Sequence, residues 1–557
     1  MTRQKMKKMN SMKINKLNIR IFFILMIAGL ITMDACKKEE IYPRTRLFQP
    51  VLNEDLFSVE NTIIVNLGKM KEARQYTIEV SRDTFLTIDY TVKTDTNYLV
   101  INKEAVGEDL LWFTLYQVRA TALADDAGYN SLPSPLGAVR TQKFPSNMGT
   151  PTYFDVLDTR ARVFWTPSGQ PITSIKVFDA ADVRLIQPIL EFDVTDDDRV
   201  AAMKIIGGLE ASSSYQIAIY SGETIRGWEL YATRQPLVSG DNVVDLTGID
   251  TVVNLANILP DVSNGSVILL EGGKTYLAGG YAFDKSVSFI SGYSFTPALP
   301  IIDCNLNFNL SDGSTVDYVT FKDINLTATD NGFGSRYVFN IDKTGFMGEI
   351  KYESCVIHAF RGLSRVKDGS GTLDKYTILD CKIDSIKDYG ILTMDKNTWI
   401  CNEITIKNST ISKAIMFLTS RNNSNSITID GCTFNEMPEK GRQMFRWREA
   451  GNDNVLNGIT ISNTIWGHGW NTTGDADYRV DGYDGMGTTN WIVLNTYTTS
   501  DFGYVVGKEE IPGFPSFLYA GPALQLWTDP YNSIFNFKDT GFAGKSDSGD
   551  PRWRIGP

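Results

Sequence analysis

From Val319 to Trp466 the chain repeats one apolar–polar phrase in a fixed frame. With the copies aligned on Val319, Ile350, Tyr376, Ile404, Ile427 and Ile459, offsets 0 and 2 are apolar or aromatic in every copy. Offset 4 is Asp323, Ser354, Asp380, Asn408, Gly431 or Asn463, and offset 7 is Leu326, Ile357, Ile383, Ile411, Phe434 or Trp466. Alternate apolar positions predict a strand with one buried face. Asn, Asp, Ser and Gly at offset 4 suit a bend of positive φ, after which a second strand resumes. A lone coil of this kind cannot bury its inner face, so the copies must stack into a solenoid. The origins lie 31, 26, 28, 23 and 32 residues apart, which predicts loops of uneven length leaving a constant core.

Offset 5 carries Cys355, Cys381 and Cys432, with Ser409 and Thr464 in the other coils. It points inward like offset 7. "LPIIDCNLNFNL" from Leu299 reads as an earlier coil that adds Cys304 to this column. The expectation is a ladder of small, soft apolar side chains, in which a hydroxyl would have no assured partner. A secreted chain can form disulfides, and only Cys355 and Cys381 lie on neighbouring coils, so a bond there and two free thiols are both open. A metal has no ligand spacing to use, and the chain has only two histidines.

Before the solenoid the pattern is of short alternating strands between turns. "DLLWFTLYQVRATA" places Leu110, Thr114, Tyr116, Val118 and Ala120, and "GLEASSSYQIAIYSG" places Leu209, Ser213, Tyr215, Ile217 and Ile219, at one shared spacing. Both resemble the tyrosine corner of fibronectin type III domains, where a tyrosine hydroxyl ties a strand to the preceding loop. "ARVFWTP" adds a strand with Val163 and Trp165 on one face. The resemblance implies two such sandwiches, over residues 44–146 and 150–235, meeting near "PSNMGTP" and serving as spacers or as binding modules.

"GSVILLEGGKTYL" from Gly265, after a helix predicted at "GIDTVVNLANILP", resembles the first coil of the right-handed parallel β-helix of pectate-lyase-like proteins. That resemblance covers 240–557, and the closing "SDSGDPRW" is similar to the end of such modules. The predicted class is all-β: two fibronectin type III-like sandwiches, then a right-handed parallel β-helix.

The 557-residue chain carries a net charge of −11. Lys5, Lys7, Lys8, Lys13, Lys16 and Arg20 precede the apolar run from Ile21 to Ile31 and then "TMDACKKEE". This reads as a secretory signal over residues 1–36, too short to span a bilayer as a permanent helix. Ala35 and Cys36 resemble a bacterial lipoprotein signal, which implies lipidation at Cys36, although Met33 and Asp34 depart from its usual residues. "KKEE" resembles the tag that sends some Gram-negative lipoproteins to the outer face of the outer membrane. Residues 1–36 hold seven Lys or Arg and one Asp, leaving 47 basic against 64 acidic residues, a net of −17. Such a balance argues against nucleic acid as a partner.

In an acidic chain a local basic stripe stands out. Arg361 and Lys387 share offset 11, Arg365 and Arg442 share offset 15, and Arg421 comes from the coil between. In "GRQMFRWREA" a strand would set Arg442, Arg446 and Arg448 on one face and Phe445 and Trp447 on the other. Such arginines suit uronate carboxylates, held through paired hydrogen bonds; ion pairing with nearby Asp and Glu is the equal alternative. The stretch from Trp466 to Trp491 offers His468, Trp470, Tyr478 and Tyr483. Trp466 belongs to the inward column, leaving Trp470 and Tyr483 as exposed platforms for sugar rings. Asp475, Asp477, Asp481 and Asp484 could gather Ca²⁺, at spacings unlike those of a calcium loop.

The arrangement resembles surface glycan-binding lipoproteins of Gram-negative polysaccharide-utilisation systems. It implies an outer-membrane protein, lipid-anchored and surface-exposed, that binds a uronate-containing plant or algal polysaccharide without turnover, beside other glycan-uptake proteins. The alternative is a polysaccharide lyase with Arg361, Arg365, Lys387 or Arg442 as base, although no acidic metal cluster or carboxylate pair supports it. A surface adhesin is the third reading.

Overall fold

The computed structural model describes residues 45–555 apart from 239, 250, 331, 475 and 476. The signal segment, Cys36, the acidic tag and Asp475 therefore lie outside the described residues. The chain divides after Pro145 into two compact units.

In the first unit, Leu52–Val59, Thr62–Leu67 and Tyr98–Ile101 form one antiparallel sheet. Tyr90–Thr94, Gln75–Ser81, Leu115–Leu123 and Ser134–Arg140 form the other. This is a fibronectin type III-like sandwich. Alternate residues of Leu115–Leu123 are buried, which puts Tyr116, Val118 and Ala120 in the core. Tyr116 makes the predicted corner, its hydroxyl accepting from Leu111 N–H at 3.0 Å.

The second unit opens with a second sandwich. Four strands, Pro188–Asp193, Ser174–Asp179, Ser214–Ser221 and Thr224–Ala232, face a pair formed by Ala161–Phe164 and Met203–Ile206. Its corner repeats the first: Tyr215 OH accepts from Glu210 N–H at 2.9 Å. Val163 and Trp165 are both buried, as their spacing predicts.

After this sandwich the chain winds into a parallel β-solenoid of about 8 turns. The predicted helix ahead of it shrinks to Leu255–Ile258, followed by a single tight turn at Leu259–Asp261. One sheet has ten strands, from Val243–Asp245 to Trp491–Leu494. In it Val319, Ile350, Tyr376, Ile404, Ile427 and Ile459 are direct neighbours, so the repeat frame is the hydrogen-bonding register. The frame also extends further than the sequence pattern shows, to Val287 before Val319 and Trp491 after Ile459. Aromatic residues at offset 2 stack down the core, Phe289 on Phe321 at 5.2 Å and Phe321 on Tyr352 at 5.6 Å.

Offset 4 has positive φ in each predicted coil, from 49° at Asn408 to 64° at Gly431. The bend lets each corner N–H reach the next coil, as in Asp380 N–H to Lys407 O at 3.0 Å.

The cysteine column is inward and fully buried, with two corrections. Cys304 is not in it: Ile301–Asp303 pairs with Asn325–Thr327 in the second sheet, so Cys304 stands at offset 9 of the Val287 coil, and in the next coil Ile324 fills offset 5. The slip arises because eight residues, 293–300, are inserted after the Val287 strand. Nor is the ladder merely apolar. Cys381 Sγ donates to Leu379 O at 3.1 Å and accepts from Cys355 N–H at 3.4 Å. Ser409 does the same, to Lys407 O at 2.7 Å and from Cys381 N–H at 3.0 Å. A hydroxyl at offset 5 therefore has both partners waiting. Cys355 and Cys381 are free thiols, not a disulfide.

The tail spelled "SDSGDPRW" works as a staple across coils. Thr410 donates to Asp550 at 2.7 Å, Trp553 Nε1 donates to Thr410 at 2.7 Å, and Arg552 reaches Asp380 O at 2.6 Å.

Candidate functional site

Beyond the second strand of each coil, a third run of strands stacks in register and builds an outer face. Its rungs are Tyr337–Ile341, the ends of Val356–Val366 and Lys382–Met394, then Leu418–Ser420, Gln443–Trp447 and Asp481–Asp484. Paired residues of parallel strands share a face, so one column runs Asn340, Arg365, Thr393, Thr419, Arg446, Asp484. Arg446, not Arg442, is thus in register with Arg365. Counting offsets misplaces Arg442 because the loops between coils differ in length.

Most of the predicted stripe gathers here, and each arginine meets a carboxylate. Arg361 grips Asp388 with two hydrogen bonds, 3.0 and 3.1 Å. Asp395 is shared, one oxygen 2.7 Å from Arg365 and the other 2.9 Å from Arg448. Arg421 pairs with Glu449 at 3.4 Å, Arg446 with Asp484 at 3.7 Å and Arg442 with Glu439 at 3.5 Å. Six guanidinium groups against five carboxylates leave a net of +1. Lys387 is exposed beside Asp388. Phe445 and Trp447 are fully buried on the opposite side of their strand, as the alternation predicts.

Aromatic rings complete the face. Tyr389 lies under both Arg365, 4.0 Å away, and Arg361, 4.7 Å away, and meets Tyr337 edge-on at 5.5 Å. Thr419 Oγ1 is buried and has no hydrogen-bond partner among the described residues. Neither tyrosine stands out in the sequence, although Tyr389 closes the phrase that holds Lys387.

The Asp388 hydrogen bonds push the Arg361 pKa up, the wrong direction for a base. Burial, then neighbouring Arg446 and Arg421, push that of Arg448 down, but Asp395 holds it as a cation.

Both aromatic platforms keep part of their surface exposed. Trp470 is half-buried, its backbone bridged to that of Glu439. Tyr483 is in register with Phe445 and packs on the core, its ring 5.3 Å from Trp491. Trp466 is core, stacked on Phe434 at 3.9 Å. Among the described residues the aspartates do not converge on a calcium site: Asp477 pairs with Arg479, Asp481 with Lys508 and Asp484 with Arg446.

A family model described as a domain of unknown function, DUF5123, matches residues 427–553. No curated protein matches the chain. Among solved structures, the FN1–FN3 domains of chicken CNTN1 are 14% identical over 34% of this chain and 67% of that one, with a TM-score of 0.15. A two-domain fibronectin type III segment from chicken tenascin is 15% identical over 33% of this chain and 97% of that one, also with a TM-score of 0.15.

Proposed function

We propose that this is a non-catalytic polysaccharide-binding protein, held by lipid at Cys36 on the outer membrane of a Gram-negative bacterium and working beside other glycan-uptake proteins. The supporting observation is the six-rung column from Asn340 to Asp484. With rungs about 4.8 Å apart, Asn340, Arg365, Arg446 and Asp484 present polar groups along the solenoid axis, on either side of the buried Thr393 and Thr419, a spacing that a linear polymer can follow. The two sandwiches serve as spacers.

The near balance of charge shifts the expected ligand. A polyuronate would have to displace carboxylates already seated on the arginines, whereas sugar hydroxyls can add to the free edges of these pairs. The ligand class is therefore a neutral or sparsely acidic plant or algal glycan. Affinity-gel retardation of residues 37–557 on xylan, glucomannan, homogalacturonan and alginate tests this, with absorbance of unsaturated uronates followed in parallel. Retardation by a neutral glycan, lost in Arg365→Ala/Arg446→Ala and changed little by salt, is expected. Retardation only by homogalacturonan or alginate restores the uronate reading. Growth of absorbance makes the protein a lyase, and no retardation by any glycan removes the proposal.

A further inference from the structure

The inserted residues 293–300 leave the solenoid and close on the second sandwich. Arg162 Nη1 donates to Phe295 O at 3.1 Å, with its guanidinium 5.6 Å from the Phe295 ring, and Tyr293 OH donates to Gln235 O at 3.0 Å. The Arg234 guanidinium lies against two rings, 3.6 Å from Tyr153 and 4.7 Å from Tyr293. Tied at these points, the sandwich and the first coils of the solenoid share a fixed seam.

The seam is not filled. A cleft of about 400 Å³ opens in it, within the size range of ligand pockets, roughly 300–1,000 Å³. Leu157, Asp158 and Arg160 wall it from the sandwich, and Asp245, Leu269 and Tyr293 from the solenoid. Leu157 and Leu269 are buried, and Arg160 and Tyr293 half-buried. Three charges of the cleft are unspent. Arg160 reaches across the seam to Thr247 Oγ1 at 3.5 Å and has no carboxylate partner among the described residues. Asp158 Oδ1 accepts from Thr159 N–H at 2.9 Å and Asp245 Oδ1 from Thr247 N–H at 2.8 Å, and neither carboxylate meets a cation among the described residues. On the arginine face, by contrast, every guanidinium is paired.

One guanidinium and two carboxylates select among ligands. A bare cation is repelled by Arg160, and an anion faces two carboxylates for one guanidinium. Hydroxyl groups answer both signs, donating to Asp158 and Asp245 and accepting from Arg160. Leu157, Leu269 and the Tyr293 ring supply apolar surface for the C–H faces of a sugar. We propose that this cleft binds one neutral sugar unit, its hydroxyls shared between Arg160 and the two aspartates. The second sandwich is then one wall of a binding site as well as a spacer. All six lining residues lie outside 427–553, the matched domain. The site is separate from the arginine face and does not depend on it.

The test is saturation-transfer NMR and calorimetry on residues 37–557 with the methyl glycosides of glucose, galactose, mannose and xylose, against sodium galacturonate, alanine and glycerol. Alanine carries both charges and stands for a zwitterionic ligand. At least one neutral glycoside should bind saturably, with galacturonate, alanine and glycerol at least tenfold weaker. Thr159 is an exposed lining residue, so Thr159→Trp should fill the cleft and abolish binding. Asp245→Asn keeps Oδ1 and removes the charge, and should weaken binding about tenfold, since charge-assisted hydrogen bonds are about twice as strong as neutral ones. Both variants should melt with the wild type, and Arg365→Ala should leave the binding intact. No saturable glycoside, binding equal to that of glycerol, or affinity indifferent to both Thr159→Trp and Asp245→Asn would overturn the proposal. Alanine as the tightest ligand would overturn it in favour of a zwitterion site, and loss on Arg365→Ala alone would transfer the binding to the arginine face. A cleft that binds glycoside while the arginine column retains no polysaccharide would remove the function proposed for the column and leave this site standing.

Discussion

Substitutions at Cys381 separate a packed ladder from a hydrogen-bonded one. Cys381→Ala removes the acceptor of the buried Cys355 N–H, 3.4 Å away, and the donor to Leu379 O at 3.1 Å. An orphaned buried N–H costs about 1–3 kcal/mol, and the void left by one sulfur adds roughly 0.5 kcal/mol at about 24 cal/mol per Å³. The total is about 1.5–3.5 kcal/mol. Cys381→Val refills the volume but leaves the N–H orphaned, so it should cost about as much. Cys381→Ser recreates the geometry of Ser409 one coil on, with partners at 2.7 and 3.0 Å, and should cost under about 1 kcal/mol. Calorimetric melting of the solenoid transition reads the order, at roughly 2–4 °C per kcal/mol for a domain of this size class. The expected ranking is Ser close to wild type, then Ala and Val together below. If Val is neutral and Ser melts as low as Ala, the column is held by apolar packing alone and the ladder argument fails.

Burial raises the pKa of Glu436 to about 7, with Lys413 pulling the other way. The folded state then holds a proton that the unfolded chain releases above its ordinary 4.5, so stability falls as pH rises from about 4.5 to 7 and is level beyond. Glu436→Gln should raise the melting temperature at pH 8 and leave it unchanged at pH 5; equal shifts at both would refute the burial argument. Tyr116→Phe and Tyr215→Phe each strip the acceptor from a corner N–H and should destabilise their own sandwich by about 1–2 kcal/mol, while transitions unmoved within error would mean that the corner is decorative. Cys36→Ala should abolish palmitate labelling in a bacterial host, and labelling equal to wild type would place the lipid elsewhere or nowhere.

The local period was legible because it is written within single coils. Alternation at offsets 0 and 2, the positive-φ bend at offset 4 and the inward column at offsets 5 and 7 depend on backbone geometry over a few residues, and so do the tyrosine corners five residues long. Partnership between coils is not local. Arg365 meets Arg446 through Thr393 and Thr419, and Asp395 is shared with Arg448, only because three loops of different length close onto one register. The eight residues inserted at 293–300 moved Cys304 out of a column that its sequence phrase imitates. The buried Glu436 and His468 had a faint sequence signal, the change from Ala359 and Ser385 to Lys413, Glu436 and His468 at offset 9. What buries those groups is a segment near Trp527 and Tyr531, about a hundred residues later in the chain. Sequence alone determined the coil, because a strand and its bend are decided by neighbouring side chains. Tertiary structure decided which charges are neutralised and which polar groups are sealed from water, because desolvation and ion pairing depend on atoms brought together from distant coils.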